Sequence, residues 1–253
     1  DDVLSVPDND NLDFGTGNWT IECWIKQSKA FADFQTIWSK YASNLGYYLL
    51  TRSTGAILIG VSNVTSSTST AVISLNRWYH IAVTRNSNVL YVWLDGVQID
   101  TLSTSSNLDN TTPFLIGNLN GFSRYFGGFI SNFRVVKGTA LYTDTFTPST
   151  SPFTTTSQGA TASEVSLLTC QSSNHVDNSN KLIGIVETGA NTRPVFPDNF
   201  TDTIPQQTTF LTGKFPGSIR NVGFLDDSSN NTVVVAQNQV TQGSFTPHYP
   251  PTG

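Results

Sequence analysis

The residue types that carry most acid–base chemistry are sparse in this chain: three glutamates, Glu22, Glu164 and Glu187, and three histidines, His80, His175 and His248. A retaining glycosidase needs two carboxyl groups about 5–5.5 Å apart, which on a strand means acidic residues at i and i+2 or i+4 of one face. None of the glutamates has an acidic partner at such a spacing. The histidines are far apart, and neither a G-x-S-x-G elbow nor an H-x-x-x-H metal pair accompanies them. His80, inside WYHIAVTR, reads as a packed, hydrogen-bonded strand residue. Catalysis is not expected.

Two other constellations fit binding. Asp8, Asp10 and Asp13 cluster near the start, and calcium takes about six to eight oxygen ligands. The order D-N-D-N-L-D lacks the glycine and the closing glutamate of an EF-hand loop, and PDNDNL reads equally well as a turn. Sugar recognition needs an aromatic platform with planar hydrogen-bonding side chains beside it. The stretch from Gly117 to Gly128 has that mixture in Asn118, Asn120, Phe122, Arg124, Tyr125 and Phe126, on a connection expected to be exposed. The competing reading is that Tyr125 and Phe126 cap the core while Arg124 lies over them. Trp24 and Trp93 are expected to be buried against a partner layer. Tyr47 and Tyr48 point to opposite faces, so at most one serves as a platform.

The elements that position these residues are strands. In NWTIECWIKQ from Asn18, the residues Trp19, Ile21, Cys23 and Ile25 alternate with Thr20, Glu22, Trp24 and Lys26, the pattern of a half-buried strand. Gly46 to Leu50 and Ala56 to Val61 form a pair around the turn-prone RSTG, and the polar run Ser62 to Thr70 reads as a loop. Trp78 to Arg85 and Val89 to Leu94 follow. Asp95-Gly96 then predicts a type I′ hairpin into Val97 to Asp100. Pro113 to Gly117, Phe129 to Val136 and Glu164 to Ser172 complete the strands. Gly138 to Phe153, rich in Thr, Pro and isolated aromatics, is expected to lie extended across a surface, and 154–163 reads as a polar linker. Short strands with frequent turns define an all-β sandwich over 1–173. Residues 174–253 form a smaller C-terminal β unit with a weak duplication, one copy from His175 and one from Phe224.

Composition excludes further classes. The net charge is −5 with 13 Lys and Arg scattered along the chain, so nucleic acid is not a partner. No apolar run approaches the roughly 18 residues of a membrane-spanning helix. The chain begins at Asp1 and contains no Met, as expected if an upstream piece is missing. Cys23 and Cys170 could form one bridge, but two buried thiols are favoured, because so long a disulfide scaffold would carry more cysteines.

Four motifs carry a resemblance: LSVPDNDNLDFGTGNWTIECWIK from Leu4, NRWYHIAVTRN from Asn76, LYVWLDGVQI from Leu90, and FLIGN from Phe114 with YFGGFISNFRVVKGTALY from Tyr125. In this order they resemble the laminin-G-like jelly roll of the concanavalin A-like superfamily over roughly the first two-thirds of the chain. The resemblance implies a concanavalin A-like jelly-roll sandwich and, in many relatives, one calcium at the sandwich rim. The E-x-D-x-x-E signature of the laminarinase-type relatives is absent here. TDTFTPSTSPF from Thr143, LLTCQSS from Leu167 and DNS from Asp177 are similar to laminin-G-like repeats of tailed-bacteriophage structural proteins. That likeness implies a virion-surface protein (tail fibre, spike or capsid fibre) that contacts other virion proteins and host glycan. It also implies a homo-oligomer, a trimer by analogy, with extended segments such as Val195 to Phe210 suited to strand exchange. The alternative is a sugar-binding accessory module of a secreted enzyme or adhesin.

Overall fold

The computed structural model describes residues 2–42, 44–62, 65–171, 175–189, 223–225 and 233–235. The strands are β1 (Val3–Val6), β2 (Trp19–Gln27), β3 (Gln35–Ala42), β4 (Leu45–Thr51), β5 (Ala56–Val61), β6 (Thr65–Val72), β7 (Trp78–Asn86), β8 (Val89–Leu94), β9 (Val97–Ser103), β10 (Phe114–Ile116), β11 (Gly128–Lys137), β12 (Val165–Thr169) and β13 (Val186–Thr188). Their pairings are antiparallel, giving a seven-stranded sheet in the order β13-β1-β10-β3-β4-β5-β6 and a six-stranded sheet in the order β12-β11-β2-β7-β8-β9. This is the expected all-β, concanavalin A-like jelly-roll sandwich.

Strand alternation decides which side chains enter the core. In β2 the inward set is Trp19, Ile21, Cys23 and Ile25, as the sequence predicts, and it meets Trp38, Tyr47, Leu49 and Phe114 from the other sheet. Aromatic rings fill the contact: Trp38 stacks on Phe114 at 6.2 Å between centroids and meets Trp19 edge-on at 6.5 Å. Such offset and edge-to-face pairs add to the burial of apolar area. Cys23 is buried and Cys170 half-buried, and both are free thiols.

The hairpin at Asp95-Gly96 forms as predicted, with φ of 49° and 82° at the two residues, the positive pair that a type I′ turn demands. Ser62 to Thr70, expected as a loop, is corrected by the structure: Thr65–Val72 is strand β6, paired with β5. It is an edge strand, exposed at alternate positions, so its Ser and Thr residues carry no apolar signal although they suit the extended backbone. Strands β1 and β3 likewise go beyond the elements read from the sequence.

Residues 138–156 cross the outer face of the six-stranded sheet as a strap, and a 3-10 turn, Ser157–Gly159, follows. Thr20 Oγ1 donates to Thr139 O at 2.9 Å, Thr84 Oγ1 to Tyr142 O at 3.0 Å, and the Phe146 amide to Gly96 O at 3.0 Å. Trp24 and Trp93 are buried beneath this strap rather than against the second sheet, Trp24 with Phe153 and Trp93 with Tyr142. The stretch expected as a linker packs here too: Ala160 is buried beside Val165, and Ser157 contributes its carbonyl to a buried guanidinium.

The chain divides into two compact units, Asp1–Thr201 and Asp202–Gly253. In the second, β14 (Gly223–Leu225) pairs antiparallel with β15 (Val233–Val235). The remainder of the two similar segments, and Val195 to Phe210, lie outside the described residues.

Candidate functional site

The loop between β10 and β11 is built inside out. Asn118 is buried, its Oδ1 accepts the Arg124 amide at 2.9 Å, and its carbonyl accepts from Ser39 Oγ at 2.9 Å. Asn118 therefore shapes the loop rather than facing a ligand. Phe126 packs against the main core, and Tyr125 bridges by its backbone to Thr36. Asn120 sits at the tip, in a turn closed by the Phe122 amide on Leu119 O at 3.0 Å. Phe122 is 47% exposed.

Arg124 is the pivot. Its carbonyl accepts the Thr36 amide at 2.8 Å, and its guanidinium carbon lies 4.5 Å from the centroid of Phe34 and 4.5 Å from that of Phe122. Arg52 reaches the same Phe34 ring at 4.7 Å. Asp33 accepts from the Ser53 amide at 3.0 Å and from Arg52 Nε at 3.1 Å, which hold its carboxyl down at about 2 and so keep it ionised.

These side chains border the outer face of the seven-stranded sheet. Tyr47 enters the core, whereas Tyr48, one residue on, points out, as alternation requires. The half-buried Tyr48 ring lies over Gly60, its register partner on β5: a Cβ there would sit 2.2 Å from Tyr48 Cζ. Tyr41 meets Tyr48 edge-on at 5.2 Å. Burial pushes the Tyr48 hydroxyl up, Tyr41 adding to the shift and the nearby Arg124 countering it. Phe34, Tyr41 and Arg52 belong to this surface but not to the sequence-derived set. Only the positive φ of 65° at Phe34 marks it as unusual, and that is a property of the fold.

The three N-terminal aspartates do not form a cation cage. The fully buried Lys40 ammonium lies between two of them, 2.8 Å from Asp8 Oδ1 and 2.8 Å from Asp13 Oδ1, and also donates to the carbonyl of Asn110. Asp10 is exposed at the start of a 3-10 turn, Asp10–Leu12. No cluster of three His, Cys, Asp or Glu suited to a metal occurs among the described residues. The residues present do not fit calcium at Asp8, Asp10 and Asp13, because a protein cation takes the place that the ion would fill. Chelation is accordingly expected to leave the melting temperature unchanged, since a ligand stabilises only what it binds. A rise of several degrees on adding millimolar calcium would overturn that assignment.

Two carboxylate–histidine pairs form: His175 Nδ1 lies 3.0 Å from Glu187 Oε1 at the surface, and Glu22 and His80 meet on the other sheet beneath the strap. Glu22 Oε1 accepts from Arg134 Nε at 2.8 Å, and Glu22 Oε2 accepts from Tyr142 Oη at 2.8 Å and lies 3.1 Å from His80 Nε2. Burial alone would raise the Glu22 carboxyl, but the Arg134 guanidinium and the His80 and Tyr142 hydrogen bonds hold it below the ordinary value. Glu22, His80 and Arg134 are fully buried, so this network ties strap to sheet and touches no solvent.

Residues 1–144 match the laminin-G-type family described as the concanavalin A-like lectin/glucanases superfamily. The chain belongs to this family. No curated protein sequence matches it. Among solved structures, this laminin-G-type chain is similar to a "putative carbohydrate binding protein" from Bacteroides ovatus at 19% identity, with a TM-score of 0.52 over 74% of this chain and 57% of that one. It is also similar to domain 4 of the arabinanase AbnA from Geobacillus stearothermophilus, at 18% identity and a TM-score of 0.40 over 53% of this chain and 66% of that one. A third is the CBM40 of the Ruminococcus gnavus IT-sialidase, at 14% identity and a TM-score of 0.44 over 55% of this chain and 89% of that one. The chain spans little more than half the length of the Bacteroides protein, and at such identities the likeness establishes the fold alone.

Proposed function

We propose that the jelly roll is a non-catalytic carbohydrate-binding module whose ligand lies on the outer face of the seven-stranded sheet, beside the loop from Gly117 to Gly128. The observation that carries this reading is the grouping of aromatic rings around Arg124, with Phe34 and Phe122 each 4.5 Å from its guanidinium carbon and the outward Tyr48, over Gly60, close enough to feel its charge. Flat rings cover the apolar face of a pyranose, and a planar guanidinium bonds its hydroxyls at the edge. Family membership supports the reading, as does the described role of the Bacteroides protein of similar fold. Glu22 is sealed beneath the strap with both oxygens engaged, and the exposed Glu187 pairs with His175 without a second carboxylate beside it among the described residues, which favours binding over hydrolysis.

The same face would serve a virion fibre or a secreted enzyme or adhesin. Thr143 to Phe153 and Leu167 to Thr169, which belong to the phage-like resemblance, are used within this fold, as part of the strap over the six-stranded sheet and as part of β12, and this moves the weight toward the secreted module. Light scattering distinguishes the carriers, because a fibre component is expected to be oligomeric and an accessory module monomeric.

Tyr48→Ala and Phe122→Ala are each expected to weaken glycan binding by about 5–20-fold, the ~1–2 kcal/mol of one stacking ring. Both residues are surface-facing, so the circular dichroism spectrum should be unchanged. Calorimetry against a glycan selected on an array reads the effect. Wild-type affinity in both variants would remove this face as the site.

A further inference from the structure

We propose that the sugar held on this face carries a carboxylate, a uronate or a sialic acid, and that Arg124 is the residue that reads it. The inference rests on the carbohydrate-binding reading above and names the ligand class of the same site.

Three observations meet at Arg124. First, its charge is uncommitted. Arg52 beside it pairs with Asp33 at 3.1 Å, and Lys40 pairs with Asp8 and Asp13, whereas among the described residues Arg124 has no carboxylate partner. In a chain with a net charge of −5, where acidic groups outnumber basic ones, a cation left at an aromatic surface is a local reversal of sign.

Second, the guanidinium is held in advance of any ligand. The backbone of Arg124 is bonded on both sides, the amide to Asn118 Oδ1 at 2.9 Å and the carbonyl to the Thr36 amide at 2.8 Å. Its head rests on two rings, each 4.5 Å away. Fixing a long side chain before binding removes the entropy cost that a free surface arginine would meet on capture.

Third, the geometry of the group selects its partner. The guanidinium carbon rests over two rings, and its N–H groups have no acceptor among the described residues; that planar fork of donors matches the two oxygens of a carboxylate. The outward Tyr48 ring beside Arg124 then supplies stacking for the sugar that bears the carboxylate. A neutral sugar would use the rings and offer the guanidinium only hydroxyl oxygens, which leaves its charge uncompensated.

The test compares oligogalacturonate with its methyl ester, which keeps the backbone and removes the charge, and sialyllactose with lactose, by calorimetry on the full chain. In one of the two pairs the acidic member is expected to bind about tenfold or more tightly, and the difference should shrink as salt is raised. The pair that shows the preference identifies the source of the carboxylate. Arg124→Gln should abolish the preference, bringing the acidic member down to the affinity of its neutral partner, and Arg124→Lys should restore part of it, because the charge returns without the fork. Equal affinity for acidic and neutral members, or a preference that survives Arg124→Gln, overturns the inference and leaves the carbohydrate-binding reading standing. Binding of no member of either pair, with no hit on a wider array, overturns both.

Discussion

Replacing Glu22 by glutamine is expected to destabilise the sandwich by ~3–5 kcal/mol, the usual cost of leaving a buried charge without its partner. For a unit of this size that corresponds to a fall of about 10 °C in melting temperature. Glutamine keeps the shape of Glu22 and removes only the charge, so the Arg134 guanidinium, 0% exposed, would face no countercharge. Arg134 also donates to Thr154 O at 2.8 Å and to Ser157 O at 2.9 Å, so the loss reaches the strap. A double variant, Glu22→Leu with Arg134→Met, should lie closer to wild type than Glu22→Gln does, because removing both partners leaves no unpaired ion. Its recovery should be partial, since the two strap carbonyls lose their donor.

The pH dependence has a definite sign. The Glu22 carboxyl is held below its ordinary value in the folded protein, so its contribution is fully present above about pH 4.3, the unfolded value, and is lost as pH falls below it. The gap between wild type and Glu22→Gln should therefore be full at pH 7 and narrow below about pH 4. Urea midpoints followed by tryptophan fluorescence at both pH values measure this. A glutamine variant within ~1 kcal/mol of wild type at pH 7 would mean that Arg134 finds water or another acceptor, which its burial argues against.

Gly96→Ala is expected to cost about 3–5 kcal/mol and to lift the strap, by combining left-handed backbone strain, a lost hydrogen bond and exposed aromatic area. Gly96 has a φ of +82°, and a Cβ there would sit 1.8 Å from Phe146 O and 2.9 Å from Phe146 C. These are backbone atoms and cannot swing aside. The strap must move, and with it goes Phe146, stacked on Tyr142 at 3.6 Å and edge-on to His80 at 5.6 Å and to Trp93 at 5.8 Å. Gly121→Ala is the control: its φ is +76° and nothing lies within 4 Å, so it should cost only the strain, about 1–2 kcal/mol. Chymotrypsin cleavage at Tyr142 or Phe146 should accelerate in Gly96→Ala alone. Equal stability and equal proteolysis in the two variants would show that the strap does not depend on this contact.

Much of the fold is legible in the chain because a strand repeats every two residues. The alternation in Trp19–Gln27 assigns Trp19, Ile21, Cys23 and Ile25 to the core whatever sheet they meet, and Asp95-Gly96 states its turn by itself, since few residue pairs accept two positive φ values. Edge strand β6 is not legible, because one-sided packing asks nothing apolar of Thr65–Val72. The strap is legible as an extended, aromatic-bearing segment, but not its destination over Glu22, Trp24 and Trp93.

The candidate site divides in the same way. The aromatic and guanidinium mixture of the loop from Gly117 to Gly128 is plain from its residues, and alternation alone sends Tyr47 and Tyr48 to opposite faces. Which of these residues reach the surface follows from the packing of distant segments. Asn118 and Phe126 turn inward, Lys40 comes from β3 to sit between Asp8 and Asp13, and Phe34, Arg52 and Tyr48 arrive from β3, β4 and their neighbouring loops to meet Arg124. The physical reason is range. Turn chemistry and alternation act between residues a few positions apart, whereas cation–aromatic contacts and ion pairs form wherever sheet order brings distant segments within about 4–6 Å.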